Sequence, residues 1–255
     1  MELKNKTIFI TGASSGIGYE LAKQLANEGC NLILLARRNE ILDALAQKIK
    51  TDENVILTYQ CDVRNKREVE NVFNDIQKKI DRIDIAILNA GVNNRMNISN
   101  FNSNLADETF QVNVLGMIYC IEQLLKNFLL QKNGMIVGVS SIADVRGFPN
   151  SGLYCASKSA VSTFLESLRV ELKSTGIKVA VVRPGFVLTP MISENKFKMP
   201  FLMNVEKAAA IIVKGIKNEK KIIQFPLGTV LGGKVLKVLP NCIFDFIFTK
   251  NIKLQ

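Results

Sequence analysis

The stretch GLYCASK, residues 152–158, contains two side chains that could move a proton, in a chain that has no histidine. Tyr154 and Lys158 lie four residues apart, and on a helix such residues share a face. A free phenol has a pKa of about 10, which is too high for efficient acid–base work near neutral pH. A neighbouring ammonium group favours the phenolate and lowers that pKa. Lys158 could therefore prepare Tyr154 for proton transfer, although a Tyr–Lys pair of this spacing is by itself usually structural.

Two polar residues elsewhere in the chain suggest partners for this pair. Ser141 ends a predicted strand thirteen residues before Tyr154, and its hydroxyl could hydrogen-bond a substrate carbonyl. Asn113 falls in an otherwise apolar predicted helix, where its amide could hold a water that links Lys158 to solvent. The candidate catalytic residues are therefore Asn113, Ser141, Tyr154 and Lys158.

The stretch TGASSGIG, residues 11–18, predicts a turn that binds phosphate. It follows the first predicted strand directly and opens the first predicted helix. Its glycines let the backbone turn tightly and let a pyrophosphate approach main-chain N–H groups, and the helix N-terminus favours the negative charge. A glycine triplet alone could be a bare tight turn, but the strand–turn–helix context favours a nucleotide. The candidate contacts are Gly12, Ser14, Ser15, Gly16, Ile17 and Gly18.

The residues after the second strand bear on which dinucleotide would bind. A fold that prefers NAD usually places Asp or Glu there to bind the ribose hydroxyls. This chain has Arg37 in that place, followed by Arg38. A guanidinium group suits a 2′-phosphate, so the pair favours NADP(H) over NAD(H). The alternative is two exposed arginines at the start of a helix.

Further candidate cofactor contacts follow the later strands, because ligands of open α/β sheets bind at the carboxyl ends of the strands. Asp62 could accept a hydrogen bond from an adenine amino group, NAG (89–91) could support a ribose, and RPGFVLTP (183–190) could hold a carboxamide. The candidates added here are Asp62, Val63, Asn89, Ala90, Gly91, Pro184, Gly185, Val187 and Thr189, and Tyr154 and Lys158 are counted among the cofactor contacts as well.

Apolar runs rich in Ile and Val alternate with amphipathic stretches, which predicts a parallel sheet with right-handed crossovers. The fold class is α/β, a single Rossmann-like doubly wound sheet with helices on both faces. The predicted strands are 7–10, 31–36, 55–59, 83–88, 135–140, 178–182 and a short seventh at 221–225. The predicted helices are 17–28, 39–50, 65–80, 104–130, 154–174 and 206–216.

Residues 1–226 are expected to form one catalytic domain, since no linker interrupts them. Within it, residues 186–204 contain two prolines and mixed polarity, which is typical of a substrate lid. Residues 227–255 form a basic, apolar extension in which Leu231, Val235 and Val238 recur at helical spacing. We expect it to pack on the same domain or on a second subunit. The open alternative is a basic amphipathic segment on a membrane surface.

Composition argues against several classes of protein. The five cysteines are scattered without a C-x-x-C pair, which together with the lack of histidine predicts no disulfide framework and no metal site and fits a reducing, cytoplasmic compartment. We find no apolar run long enough for a membrane span and no secretory signal. The net charge of +10 fits an anionic cofactor, an acidic carrier protein or an anionic membrane, or simply a lysine-rich surface. No basic stripe interleaved with aromatics indicates nucleic acid.

Taken together, these motifs resemble those of short-chain dehydrogenases/reductases. TGxxxGxG, Asp62, NAG, Asn113, Ser141, YxxxK and the PG turn occur in order with fitting spacing, over roughly residues 4–225. The resemblance implies a seven-stranded sheet in the order 3-2-1-4-5-6-7 and a homodimer or homotetramer built on the helices at 104–130 and 154–174. Two features depart from the pattern: Leu88 stands where many members have a second Asn, and many members end soon after the seventh strand.

The resemblance also implies a role for each candidate catalytic residue. Tyr154 would give its proton to a carbonyl oxygen, and Ser141 would orient that oxygen and stabilise its developing charge. Lys158 would lower the pKa of Tyr154 and hold the nicotinamide ribose, while Asn113 would sustain the proton relay.

The function expected from the sequence is NADP(H)-dependent reduction of a small-molecule carbonyl to an alcohol. The apolar lid segment MPFLM (199–203) favours a lipophilic ketone or a 3-oxoacyl compound. Two alternatives stay open: a non-catalytic NADP-binding sensor or interaction module, and an NAD-linked alcohol dehydrogenase. The chain keeps all four candidate catalytic side chains, which favours an enzyme over a sensor.

Overall fold

The computed structural model describes residues 1–193 and 199–249, and within these ranges seven strands form one parallel sheet. Residues 194–198 of the expected lid and 250–255 of the expected extension lie outside the described residues. The sheet order is β3-β2-β1-β4-β5-β6-β7, which confirms the predicted fold class and strand order. The strands are β1 (Thr7–Thr11), β2 (Asn31–Ala36), β3 (Ile56–Gln60), β4 (Ile85–Leu88), β5 (Gly134–Val139), β6 (Ile177–Pro184) and β7 (Ile222–Phe225).

Helices cover both faces of the sheet, because most of its strands are apolar on both sides. One buried cluster joins the sheet to α1, α2 and α7, and a second joins the opposite face to α3, α5 and α6. The helices are α1 (Gly16–Asn27), α2 (Asn39–Ile49), α3 (Lys66–Lys79), α4 (Asn104–Phe110), α5 (Gly116–Gln131), α6 (Gly152–Glu171), α7 (Val205–Lys217), α8 (Leu227–Val238) and α9 (Asn241–Thr249).

The long helix predicted at 104–130 is confirmed as one helical stretch over residues 104–131, but one of its turns is not α-helical. A π turn at Gln111–Leu115 separates α4 from α5. Such turns insert an extra residue into a helix and re-aim the side chains around it. Gly116 follows the turn, and a Cβ atom there would lie 2.8 Å from Cγ2 of Val63, so α5 starts in close contact with the segment after β3. The sequence contains no residue type that forces a π turn, and periodicity alone could not predict it.

The C-terminal helices α8 and α9 pack on the segment that follows β5. A Cβ atom on Gly233 of α8 would lie 3.0 Å from Cγ2 of Ile142. Arg146 donates hydrogen bonds to the carbonyl oxygens of Leu236, at 2.9 Å, and Leu239, where α8 ends. Its guanidinium carbon lies 4.1 Å from the ring centroid of Phe244 in α9. Among the described helices, none is both long enough and apolar enough to cross a bilayer.

Candidate active site

The glycine-rich turn and the NAG turn are joined at the carboxyl ends of β1 and β4. Thr11 Oγ1 accepts hydrogen bonds from the backbone N–H of Asn89, at 3.0 Å, and of Ala90, at 3.1 Å. Asn89 Nδ2 in turn donates to the carbonyl oxygens of Thr11 and Gly12, at 3.2 and 3.3 Å. Sequence reasoning missed the part played by Thr11, although it immediately precedes the first glycine of the motif.

Glycine is required at this turn for conformation and for space. Gly12 and Gly16 have φ values of +69° and +56°, in the left-handed region that favours glycine. Gly18 lies against the turn so closely that a Cβ atom there would be 2.4 Å from the Gly12 carbonyl oxygen. The Ser15 side chain makes no capping hydrogen bond to the start of α1, so the first N–H groups of this helix are not satisfied by that side chain. Such N–H groups attract a phosphate.

A cavity of about 350 Å³ runs along the carboxyl edge of the sheet, in the size range of small-molecule sites. Every candidate site residue lines it except Gly18 and Asn113, which lie behind its wall. The candidates on the wall are Gly12, Ser14, Ser15, Gly16, Ile17, Arg37, Arg38, Asp62, Val63, Asn89, Ala90, Gly91, Ser141, Tyr154, Lys158, Pro184, Gly185, Val187 and Thr189.

The two arginines after β2 differ in their contacts, although both are exposed at the cavity. Arg38 donates from Nη2 and Nε to the Ser14 hydroxyl, at 3.0 and 3.3 Å. Arg37 contributes its carbonyl oxygen to a 3.2 Å hydrogen bond from the Gln60 amide. The guanidinium of Arg38 is therefore tied to the glycine-rich turn, a contact that the spacing of the two motifs could not predict.

Asp62 lies at the cavity, but its carboxylate already has a strong partner. Arg64 donates from Nη2 to Asp62 Oδ2 at 2.6 Å and from Nε to Oδ1 at 3.0 Å. Partial burial raises the pKa of Asp62, but the hydrogen bonds from Arg64 outweigh this and hold the pKa below its usual range. A carboxylate has acceptor positions to spare, so Asp62 can still accept a bond from a ligand. The Asp62–Arg64 pair was not anticipated from the sequence.

Tyr154, Ser141 and Lys158 come together where β5 meets the start of α6. The Ser141 hydroxyl is close enough to the Tyr154 hydroxyl to lower its pKa. Lys158 Nζ lies 5.7 Å from the centroid of the Tyr154 ring and donates to the Val139 carbonyl oxygen at 2.9 Å. Ser141 is held by a 3.1 Å hydrogen bond from the Ala143 N–H to its hydroxyl oxygen. The three side chains thus share one wall of the cavity, on two rigid elements.

The net pKa of Tyr154 is raised in this arrangement, because burial has the largest effect on it. Burial raises the pKa of Tyr154 to about 12, and the group that pulls it down is the Ser141 hydroxyl. Burial lowers the pKa of Lys158 to about 8, because the charged ammonium loses hydration. Sequence spacing places the two side chains on one helix face but does not show how deeply they are buried. The phenol therefore stays protonated near neutral pH, as a proton donor must.

Asn113 is fully buried, and its amide is largely used within the protein. Nδ2 donates to the Val92 carbonyl oxygen at 3.0 Å and to the Ser157 hydroxyl at 2.9 Å. Oδ1 accepts from the Val92 N–H at 2.8 Å, which leaves one acceptor position for a water. A Cβ atom on Gly91 would lie 3.2 Å from this Oδ1 and 3.4 Å from Lys158 Nζ, so both groups approach the same piece of backbone. Sequence reasoning missed Ser157, which is one small residue among several in the CASKSA stretch.

The segment after β6 is fixed beside the glycine-rich turn. The Leu188 N–H donates to the Met203 carbonyl oxygen at 2.9 Å, and the Met203 N–H donates to the Phe186 carbonyl oxygen at 3.0 Å. A Cβ atom on Gly16 would lie 3.2 Å from the methyl group of Thr189. The two described ends of the expected lid are therefore held together by backbone pairing, and Thr189 closes the cavity on the phosphate side.

The fold and the cavity wall together are those of a nucleotide-dependent oxidoreductase. The comparisons identify its family. A model of the short chain dehydrogenase family matches residues 6–199, and the chain belongs to this family. It is therefore an oxidoreductase of a family that uses NAD(H) or NADP(H) to act on CH–OH or C=O groups of small molecules.

Individual relatives agree with this assignment. The chain is 33% identical over 244 residues to an uncharacterized oxidoreductase of Myxococcus xanthus, covering 96% of both chains. It is 31% identical over 229 residues to a fatty acyl-CoA reductase of Acinetobacter baylyi, covering 89% of this chain and 78% of that one. A short-chain dehydrogenase/reductase from Burkholderia phymatum, solved with NAD, shares the fold with a TM-score of 0.84 at 20% identity, over 99% and 98% of the two chains. Other solved structures of this fold are complexes with NADPH and NADH.

Proposed function

We propose that this chain is an NADP(H)-dependent reductase that converts a carbonyl group to an alcohol, with Tyr154 as the general acid. The observation that supports this most directly is that Tyr154, Ser141 and Lys158 share one wall of a cavity that also reaches the glycine-rich turn. A non-catalytic binding module needs the turn but not a half-buried tyrosine and serine and a buried lysine on one wall.

The cavity fits a dinucleotide by the chemistry of its walls. The N–H groups at the start of α1, which the Ser15 side chain does not cap, and the Ser14 and Ser15 hydroxyls would hold its phosphates, and Lys158 would hold a ribose hydroxyl. The cofactor supplies the hydride when bound. The chain supplies the proton.

The chain's own part in the reaction follows from the proton-transfer group. Ser141 and Tyr154 would donate hydrogen bonds to the carbonyl oxygen and hold it in place. The raised pKa keeps the Tyr154 phenol protonated until negative charge develops on that oxygen, when the proton moves across. The Lys158 ammonium stabilises the phenolate left behind, and with a pKa of about 8 it is mainly charged at pH 7. Asn113 fixes the backbone at Val92, next to the Gly91 backbone that Lys158 approaches.

The preference for NADP(H) rests on Arg37 and Arg38. Both line the cavity where the ribose of a bound dinucleotide would lie, and the NAD-type acidic residue is replaced by Arg37. Arg38 is already fixed on Ser14, so its charge is positioned with little further loss of side-chain freedom. The NAD complex of the Burkholderia phymatum neighbour does not bear on this choice, since 20% identity reflects the fold alone.

A lipophilic substrate is supported by the apolar side chains near the reaction centre. Val92, Met191 and Ile192 line the cavity, and Phe201 and Leu202 are exposed at the described end of the lid. The Acinetobacter baylyi relative carries the name of an enzyme that acts on a fatty acyl compound. We therefore propose a lipophilic ketone or a 3-oxoacyl compound as substrate.

The proposal is tested by mixing the purified chain with NADPH and a panel of carbonyl compounds that ranges from short and polar to long and apolar. We expect NADPH oxidation with the apolar members and little with the polar ones. Binding of NADPH without turnover of any carbonyl or alcohol would contradict the enzyme and favour the binding module. Tighter binding of NADH than of NADPH, together with oxidation of an alcohol by NAD, would favour the dehydrogenase.

The exposed face of α8 and α9 supports a second proposal, that the protein touches an anionic bilayer from a cytoplasmic position. Leu227, Leu231, Val235 and Val238 follow one stripe of α8 and are 54–80% exposed. Ile243, Phe246 and Ile247 are exposed on α9. Lys234 lies within the stripe by helical spacing, and the chain has a net charge of +10. Apolar side chains flanked by lysines are the features by which amphipathic helices lie on anionic membranes.

We expect weak binding of the protein to vesicles rich in anionic lipid. The double variant Leu231→Glu/Val235→Glu should lower that binding about 100-fold or more, since each buried apolar side chain contributes about 1.5 to 3 kcal/mol. Val55→Glu is the control, because Val55 is 48% exposed at the start of β3. Binding is measured by sedimentation with vesicles. Equal loss in both variants, or a wild-type protein that stays in the supernatant, would contradict the bilayer.

We also propose that the protein forms a homodimer or homotetramer through α5 and α6. Leu129, Leu130 and Val170 are exposed at the ends of these helices, which leaves apolar surface for a second copy. Sedimentation of the protein without vesicles measures its oligomeric state. An α8 variant that splits the oligomer would assign the α8 stripe to a second copy and contradict the bilayer.

A further inference from the structure

A buried ion pair lies directly behind the candidate active site and is not part of the cavity wall. Asp144 Oδ2 lies 2.7 Å from Nε of Arg183. The Asp144 side chain is 3% exposed and that of Arg183 is 28% exposed. The Arg183 Nε–H is not aligned for a hydrogen bond, and Asp144 Oδ1 accepts none from the described residues, so charge attraction holds the pair.

The pair joins the elements that bear the proton-transfer residues. Asp144 lies three residues after Ser141, in the short helical turn Ile142–Val145. Arg183 stands in β6 just before Pro184, whose carbonyl oxygen is 3.5 Å from the Ser141 hydroxyl. The pair therefore fixes the Ser141 segment against the end of β6.

Hydrogen bonds continue from Asp144 into α6. The Ser162 hydroxyl donates to Asp144 Oδ2, and the Ser159 hydroxyl donates to the Asp144 carbonyl oxygen at 2.7 Å. The Ser140 hydroxyl lies 2.7 Å from Ser162 Oγ and 2.9 Å from the Lys158 carbonyl oxygen. All these groups are buried or half-buried. The same helix presents Tyr154 one turn before Lys158, so Asp144 is hydrogen-bonded to the element that bears both.

We infer that Asp144 and Arg183 are positioning residues. They hold the Ser141 segment, α6 and the end of β6 in the relative positions that place the Tyr154 hydroxyl beside the Ser141 hydroxyl. This inference rests on the proposed function, since it assigns a role in the same proton transfer. Neither residue touches the cavity, so neither is a catalytic residue. Small displacements of groups that hold a reacting atom reduce turnover strongly, even when the groups themselves remain.

The charge of Asp144 also gives the inference a pH signature. Asp144 and Cys155 raise the pKa of Tyr154, and the Ser141 hydroxyl lowers it. The Lys158 ammonium is the cationic group near the Tyr154 ring. Reduction needs the Lys158 ammonium and the protonated phenol, so activity falls as the pH rises through the Lys158 pKa of about 8 and is lost as it rises through the Tyr154 pKa. Removal of the Asp144 carboxylate leaves Arg183 without its counter-charge and lowers the Tyr154 pKa. The loss of activity that follows the Tyr154 pKa then begins at a lower pH.

The test compares Asp144→Asn with Asp84→Asn. Asp84 is the matched control, because it too is a buried carboxylate with cationic partners, Arg82 at 2.6 Å and Lys6 at 3.2 Å, but it lies at the amino end of β4. Both variants lose a buried charge of similar exposure. We expect Asp144→Asn to lower kcat about tenfold to 100-fold with an unchanged Kd for NADPH and an alkaline limb moved to lower pH. We expect Asp84→Asn to keep kcat within about twofold and to leave the limb in place.

A second pair of variants covers the case in which Asp144→Asn does not fold. Arg183→Lys keeps the charge and should retain most of the turnover that Arg183→Met loses. Titration of the Tyr154 phenol by ultraviolet difference absorbance, with Tyr154→Phe as the blank, gives a readout that needs no substrate. A wild-type protein that reduces no carbonyl would contradict the proposed function, whereas a Tyr154 titration that is the same with and without Asp144 would overturn the positioning role. Equal kcat in Asp144→Asn and the wild type would overturn it as well.

Discussion

Replacement of Tyr154 by phenylalanine is expected to lower kcat for carbonyl reduction by about 100- to 10,000-fold, the usual contribution of a positioned general acid. Phenylalanine keeps the ring over which Lys158 lies but removes the only atom that can deliver the proton. The Kd for NADPH should rise only slightly, because Tyr154 is one cofactor contact among many and the glycine-rich turn, the two arginines and Lys158 are untouched. Steady-state kinetics with the best substrate of the panel, together with a direct NADPH titration, measure both quantities.

Tyr119→Phe serves as the matched control for this variant. Tyr119 lies on α5, partly buried, with Lys66 Nζ 5.9 Å from its ring centroid. It therefore offers the same chemical change beside a lysine, away from the cavity wall. Turnover should be the same as in the wild type. Undiminished kcat in the Tyr154 variant would show that another group donates the proton, and the proposed mechanism would have to be abandoned.

The double variant Arg37→Asp/Arg38→Leu is expected to reverse the cofactor preference. Each charged hydrogen bond to a 2′-phosphate contributes about 1.5 to 3 kcal/mol, so loss of both should weaken NADPH binding by about 100-fold or more. The new aspartate can accept from the ribose hydroxyls of NADH, which should bind at least as well as before. The ratio of kcat/KM for NADPH to kcat/KM for NADH measures the change.

Arg67→Asp controls for the change in net charge. Arg67 is exposed at the start of α3 and does not line the cavity. It should lower NADPH binding only slightly, through long-range attraction that salt screens. The single variants Arg37→Asp and Arg38→Leu then separate the two guanidinium groups. A wild-type enzyme that already prefers NADH would refute the role assigned to the arginine pair.

The strands and the positions of their loops could be predicted because they depend on patterns that are local in the sequence, whereas the order of the sheet followed from the resemblance to short-chain dehydrogenases/reductases. Continuous apolar runs such as NLILLA are typical of strands covered on both faces, and TGASSGIG falls where strand, turn and helix meet. Once the order of the strands is fixed, their carboxyl ends bring Gly12, Asn89 and Ser141 to one edge.

The features that could not be predicted depend on contacts between distant residues or on burial. Asp144 and Arg183 stand 39 residues apart by number, and no local pattern pairs them. The pKa of Tyr154 depends on how much water reaches it, which helix spacing does not report. The π turn at Gln111–Leu115 replaces part of an amphipathic pattern that reads equally well as an α-helix. In each case the residue types can be identified from the sequence, but their positions in space cannot.

The contact of Arg146 with the last helices has a practical consequence for work on this protein. Arg146 follows Ser141 by five residues, and its acceptors are the end of α8 and the Asn241 side chain of α9. Phe148 packs beside it on Phe244 and Phe248, with ring centroids 6.2 and 5.6 Å away. A shortened chain that stops before Leu227 would uncover this arginine and this aromatic ring next to the reaction centre. Deletion of the tail would therefore disturb catalysis and surface binding together, and only point substitutions on the outward stripe can separate them.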